Sequence, residues 1–273
     1  MARFSYSMPS LINSFFKNLP LIRSLTKREI IGRYQGSVLG LLWSFFNPIF
    51  MLIVYTFVFS VIFKAKWNAP TGSNSEFGLV LFSGLLVFNF FAECINRSPT
   101  IIINNVNYVK KVIFPLEIFP WVIIGSSLVH MVISIIVWTV AYLFILNSLP
   151  PATFLMIPIV LVPLVLIVMG LSWFLASLGV YLRDVSQIMT ILTTVIMFLS
   201  PIFYPASALP EKYQGLLSLN PLNPTIEMMR DIMLWGKVPE WNILGGQYII
   251  SIFVVWLGFA WFQKTRKGFA DVL

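Results

Sequence analysis

Trp121-Val-Ile-Ile-Gly-Ser-Ser-Leu-Val-His-Met-Val-Ile-Ser-Ile-Ile-Val-Trp-Thr-Val-Ala-Tyr-Leu-Phe-Ile-Leu146 contains no acidic residue, lysine or arginine, and its apolar residues do not alternate with polar ones. A bilayer core of about 30 Å takes about 20 apolar residues per helix, so this run spans a membrane as one helix. A barrel strand would be shorter and would alternate with period two. Directly before it stands Tyr108-Val-Lys-Lys-Val-Ile-Phe-Pro-Leu-Glu-Ile-Phe-Pro120. Lys110, Lys111 and Glu117 cannot rest in hydrocarbon, and two prolines interrupt the backbone ladder there, so this piece is a loop on one side of the membrane.

The same reading extends outward. Hydrophobic residues make up 58% of the 273-residue chain and charged residues only 10%, and the mean hydropathy is +0.88. Soluble domains carry roughly a quarter charged residues, so the fold class is an all-α integral membrane protein. Apolar runs at Val38–Phe63, Phe77–Ile95, Trp121–Leu146, Phe154–Tyr181, Val185–Tyr204 and Asn242–Phe262 predict six transmembrane helices. Their connections are short except for Pro205–Trp241, so residues 1–273 form one membrane domain. It is bounded by tails at 1–37 and 263–273. Residues 1–37 are polar and basic and do not read as a signal peptide. The lone Cys94 has no internal disulfide partner.

Lysine and arginine placement orients the chain. Arg3, Lys17, Arg23, Lys27, Arg28, Arg33, Arg97, Lys110, Lys111, Arg183, Lys264, Arg266 and Lys267 fall on one side. Only Lys64, Lys66, Lys212, Arg230 and Lys237 fall on the other. Both termini and the 97–120 loop are therefore cytoplasmic. The surplus matches an anionic inner leaflet, and the net charge of +8 requires no nucleic acid to explain it.

Leu21, Ile22, Leu25, Glu29, Ile30 and Arg33 recur at helical spacing and predict an amphipathic helix in the interface plane over Leu21–Gln35. It reads either as a plain anchor or as one that also meets a cytoplasmic partner through Lys27, Arg28, Glu29 and Arg33. Gly32, Gly36 and Gly40 recur every fourth residue, which suits either a close helix approach or a flexible bend. In the first span, Trp43, Phe46, Phe50 and Phe57 share a narrow arc with Asn47 beside them, while Tyr55, Phe59 and Phe63 take another face. Such stripes are commonly packing or interface anchors. The alternative is a conduit wall, on which rings stack against sugar C–H faces without holding them.

Glu93 and Arg97 are spaced for an i,i+4 ion pair at a helix end. His130 has no carboxylate or second histidine at ligand spacing and reads as a packed side chain. Tyr181-Leu-Arg-Asp184 is a short cytoplasmic turn, a cap or a second docking point. Outside, Ser200-Pro-Ile-Phe-Tyr-Pro205 ends the fifth span, since Pro201 and Pro205 forbid a regular helix. Tyr213–Leu219 and Ile226–Leu234, split by Asn220-Pro221 and Asn223-Pro224, predict two short helices partly re-entering the outer leaflet. They read as a lid or as a passive hairpin. No G-x-x-x-x-G-K-[ST] phosphate loop occurs, and no histidine stands with a partner for catalysis.

Arg28-Glu-Ile-Ile-Gly-Arg-Tyr-Gln-Gly-Ser-Val-Leu-Gly-Leu-Leu-Trp-Ser-Phe-Phe-Asn-Pro48, Val109-Lys-Lys-Val-Ile-Phe-Pro-Leu-Glu-Ile118, Leu182-Arg-Asp-Val185, Ser200-Pro-Ile-Phe-Tyr-Pro205 and Asn220-Pro-Leu-Asn-Pro224 resemble, in order, the signature segments of type 2 ABC exporter permeases. The polysaccharide exporters of O-antigen, capsule and teichoic acid are the nearest subgroup. The resemblance implies a homodimer in the inner (cytoplasmic) membrane that pairs with two copies of a separate ABC ATPase subunit. ATP and Mg would sit on that partner, and this chain would carry no cofactor or metal. Arg28, Glu29, Arg33, Lys110, Lys111, Phe114, Pro115, Glu117, Arg183 and Asp184 would form the coupling surface. Trp43, Phe46, Asn47, Phe50, Phe57, Phe198 and Phe203 would line a channel at the dimer axis. Tyr204, Pro205, Tyr213, Asn220 and Pro221 would belong to the outer gate. The cargo would be a lipid-linked polysaccharide. A drug or lipid exporter of the same superfamily is the alternative transporter. A membrane enzyme acting on polyprenyl-linked sugars is the alternative class, disfavoured by the shortage of acid–base side chains.

Overall fold

A computed structural model describes residues 7–62, 74–110, 114–205, 212, 215 and 220–273. Lys111 and Tyr213 lie outside the described residues. Among those described, every regular element is helical. Two helices precede the membrane, α1 (Met8–Lys17) and α2 (Leu19–Arg33). The first span is α3 (Trp43–Tyr55), entered through a turn at Gly40–Leu42 and continued by a wider π-type turn at Thr56–Ile62. Then come α4 (Asn74–Arg97), the short α5 (Val106–Val109), α6 (Ile118–Leu146), α7 (Ile157–Tyr181) and α8 (Val185–Leu199). Next, α9 (Asn223–Arg230) runs into a π-type turn at Asp231–Trp235. The chain returns through α10 (Trp241–Thr265) and ends in α11 (Phe269–Val272).

Among the described residues, five stretches are long and apolar enough to cross a bilayer: Gly40–Phe59, Glu76–Thr100, Ile118–Leu146, Ala152–Tyr181 and Trp241–Val272. The sixth expected span, Val185–Tyr204, is helical only over the 15 residues of α8, or about 22 Å of rise. The backbone turns extended at Ser200, where Pro201 withholds the amide the next helical bond would need.

The second span is the hub. In its most apolar stretch 83% of positions are buried, against 11% in the first span. Leu79, Val80, Leu81, Val87 and Cys94 are fully enclosed by α6, α8, α9 and the first span. Two buried indoles find carbonyl partners, as a Trp N–H in a dry interior must. Trp138 donates to the Leu79 carbonyl at 3.0 Å and Trp173 to the Glu117 carbonyl at 3.0 Å.

The closest helix crossing pairs α7 with α10, where Gly170 and Gly258 meet backbone to backbone. A Cβ at Gly170 would overlap the Val254 carbonyl, and one at Gly258 would overlap the Gly170 carbonyl. In lipid, where apolar surface gains little by leaving the tails, such close contact supplies much of the association. Gly32, Gly36 and Gly40 do not serve this purpose. Nothing lies within 4 Å of a Cβ built on any of them, and Gly36 and Gly40 take positive φ values of 86° and 51°. Gly36 and Gly40 instead allow the bend between α2 and the first span, while Gly32 lies within α2.

The helix expected over Leu21–Gln35 is present as α2, two residues earlier than its spacing suggested. Ile22 and Leu25 are buried against Ile118 and Val122 at the start of α6. Helix α1 was not anticipated; it adds Leu11 to the main core.

Candidate functional site

Where they meet, α2 and α4 each carry a glutamate followed four residues later by an arginine: Glu29 and Arg33, Glu93 and Arg97. The two helices present these pairs in opposite order, so identical patterns become complementary. Arg33 Nη2 bonds Glu93 Oε1, and Arg97 Nη2 bonds Glu29 Oε1. Arg97 Nη1 lies 3.2 Å from Glu93 Oε1 and 3.3 Å from the Ser126 hydroxyl of α6. The result is an unbroken chain of alternating charge, Glu29–Arg97–Glu93–Arg33, joining the interfacial helix to two spans. Burial alone would push the Arg33 guanidinium down, but the Glu93 carboxylate outweighs it and holds the group above the ordinary arginine value.

The expected Glu93–Arg97 helix-end pair is therefore real, and it is half of a larger network. Of the interfacial residues predicted to face a partner, Glu29 and Arg33 direct their charges inward. Arg28 instead donates to the Tyr108 hydroxyl at 3.2 Å and so ties α2 to the 98–117 loop.

That loop is anchored at its far end by Glu117, which is only 9% exposed. Its Oε2 receives Arg266 Nη1 at 2.5 Å and its Oε1 accepts from the Ser14 hydroxyl at 3.1 Å. Arg266 Nη2 also donates to the Phe114 carbonyl at 2.8 Å. The Glu117 carboxylate thus joins α1 and the C-terminal segment to the loop, while the backbone carbonyl of the same residue takes the Trp173 indole of α7. Phe114 packs on Tyr108 and Phe119 with ring centroids 4.4 and 5.4 Å apart, and Pro115 is half-buried. Lys110, Arg183 and Asp184 are exposed. Arg28, Lys110, Arg183 and Asp184 are therefore the predicted coupling residues left at the surface, while Glu117 braces the loop from beneath. Sequence reasoning placed Arg266 among the tail cations and missed this pairing.

The aromatic arc of the first span points away from the bundle. Trp43, Phe46, Phe50 and Phe57 are 38–56% exposed. Phe46 stacks with Phe50 at 6.2 Å, and Trp43 meets Phe46 edge-on at 6.4 Å. Asn47 is exposed too, bordering a polar cavity of about 360 Å³ that Asn89, Asn96, Ser134 and His130 also line. Phe198 on α8 is 61% exposed. Phe203 turns inward instead, stacking on Phe59 at 4.9 Å and lying 6.3 Å from Tyr55, so it belongs with the second face of the first span.

Beyond α8, Tyr204 donates to the Phe198 carbonyl at 3.0 Å and Pro205 is half-buried. Asn220 donates to the Ser200 hydroxyl at 2.8 Å, and its own carbonyl caps the Leu222 amide at 3.0 Å; Pro221 is exposed. The described part of the outer segment is sunk into protein, as irregular backbone at membrane depth must be. Ile226, Met229, Ile232 and Met233 are fully buried. Arg230, counted from the sequence among outer loop charges, is 2% exposed. It donates from Nε to the Val80 carbonyl at 3.2 Å and from Nη2 to the Ile202 carbonyl at 3.0 Å, locking α9 onto the second span. Among the described residues no cluster of three metal-ligating side chains occurs.

Residues 20–234 match the family described as ABC-2 type transporter. An O-antigen export system permease protein RfbA of Klebsiella pneumoniae is 27% identical over 254 residues, covering 93% of this chain and 95% of that protein. The RfbA of Myxococcus xanthus is 27% identical over 269 residues, covering 97% and 99%. The polysialic acid transport protein KpsM of Escherichia coli is 24% identical over 258 residues, covering 90% and 94%.

Proposed function

We propose, from the premise that this chain belongs to the ABC-2 type transporter family, that it is the membrane subunit of an ATP-driven exporter of a lipid-linked polysaccharide. Its relatives named for O-antigen export and polysialic acid transport favour a glycan cargo, with O-antigen the first choice and capsule or teichoic acid next. Two copies pair in the inner membrane with both termini in the cytoplasm, and a separate ATPase subunit, present twice, binds ATP and Mg and supplies the work.

The observation that carries this reading is the contrast between the enclosed second span and the bare first span, where Trp43, Phe46, Phe50 and Phe57 stand exposed among aliphatic side chains such as Ile49, Ile53 and Val54. Lipid contact alone would be served by leucine and valine. Trp43, Phe46, Phe50 and Phe57, with Phe198 on the equally bare α8, suit a conduit between two copies in which rings stack on passing sugars. Arg28, Lys110, Arg183 and Asp184 face the cytoplasm for the ATPase subunit. The Glu29–Arg97–Glu93–Arg33 chain and the Glu117–Arg266 brace would pass a push on that loop to the first three spans.

Co-purification tests the partnership. The chain should isolate with a P-loop ATPase, and replacing Lys110, Arg183 and Asp184 by alanine should lower that subunit's hydrolysis. Transport by the purified chain alone, or turnover of a lipid-linked sugar by it, would refute the reading.

A further inference from the structure

Between α2 and the first turns of α6 lies a groove of about 650 Å³, lined by Ile22, Ile30, Trp121, Ile124 and Leu128 among other apolar side chains. It forms because α2 meets α6 at Gly125, where a side chain would press against Thr26, and the two helices diverge on either side. Arg23 and Lys27 stand at its edge, both exposed. Among the described residues neither has a carboxylate within salt-bridge distance or a hydrogen-bonded partner. The other basic residues of α2 differ: Arg28 holds Tyr108 and Arg33 holds Glu93. The sequence grouped Lys27 with those two as partner-facing; it borders the groove instead.

We propose that this groove is a binding site for an anionic phospholipid of the inner leaflet. One acyl chain lies along Ile124, Leu128 and Trp121, and the phosphate is held by Arg23 and Lys27. The helix lies in the interface, where an apolar slot meets chain ends and a cationic edge meets headgroups. Charge complementarity selects a lipid over a protein helix, since the slot itself is apolar and the two cations sit only at its mouth. The inference needs the membrane placement of the chain and is independent of which cargo it moves.

The full chain in nanodiscs of zwitterionic lipid is titrated with phosphatidylglycerol or phosphatidylcholine carrying brominated acyl chains. Quenching of Trp121 is read as the difference from the W121F variant. Phosphatidylglycerol should quench at a mole fraction lower than phosphatidylcholine by on the order of 20-fold, for two cations near a phosphate. R23Q/K27Q should erase that preference, while K17Q/K264Q, with the same charge change outside the groove, should keep it. Gel filtration and thermal melting confirm that each variant is folded. Equal quenching by the two lipids in the unmodified chain overturns the proposal without recourse to any variant. So does a preference that survives R23Q/K27Q, or displacement of brominated phosphatidylglycerol by an equimolar polyprenyl phosphate, which would make the groove a cargo site.

Discussion

Arg97 and Glu29 lie 68 positions apart in sequence and are joined as an ion pair across the boundary between an interfacial helix and a membrane span. Arg97 also faces Glu93, so one guanidinium serves two carboxylates. Removing it leaves Glu29 unpaired and Glu93 held by Arg33 alone, in a partly desolvated place. R97Q should therefore cost about 1–3 kcal/mol, more than E29Q, because an unpaired charge is dearer than an absent pair. The E29R/R97E exchange should recover only part of the loss, because the carboxylate introduced at position 97 would repel Glu93 one helical turn away. Thermal unfolding of the purified protein measures both.

The Glu117–Arg266 pair is more enclosed and should respond more strongly. R266Q strands a buried carboxylate and should destabilise by about 3–5 kcal/mol. The double variant E117Q/R266Q should be milder than R266Q alone, because no bare charge remains. Melting temperatures of the two variants, compared with the parent, decide the order.

At the α7–α10 crossing, G170L or G258V should abolish accumulation of monodisperse protein. Either side chain would have to separate two backbones in contact. G32A in α2 is the matched control: with open space around it, the change should be neutral or stabilising by up to about 1 kcal/mol through helix propensity. Yield and elution profile after detergent extraction give the readout.

Replacing Trp43, Phe46 and Phe50 together by alanine should reduce surface polysaccharide at least tenfold while leaving protein level unchanged. Exposed positions typically shift stability by only about 0.5 kcal/mol each. Normal surface polysaccharide in cells carrying the triple variant would remove these rings from the conduit.

Much of the fold was legible because membrane insertion is decided locally. A run such as Trp121–Leu146 meets the bilayer requirement by its own composition, whatever its neighbours do. Likewise α2 declared its buried side by spacing, and Ser200-Pro201 declared where α8 ends. The candidate site was legible only as an inventory. Tyr108, Lys110 and Glu117 all stood out, yet nothing local distinguishes a glutamate that faces water from one that Arg266 will cover. The repeated Glu-x-x-x-Arg of Glu29–Arg33 and Glu93–Arg97 was the available signal for the charge chain. It becomes informative only once two helices are known to meet head to tail.

The chain's hydropathy by itself determined that this is a helical membrane protein, because transfer free energy is a sum over nearby residues. Tertiary structure alone decided that Gly170 and Gly258, not Gly32, Gly36 and Gly40, bring backbones together. It alone decided that Arg230 is interior and that the rings of the first span are left bare. Those outcomes depend on which helix faces reach contact distance, and close packing and charge pairing act only over a few ångströms between segments far apart in sequence.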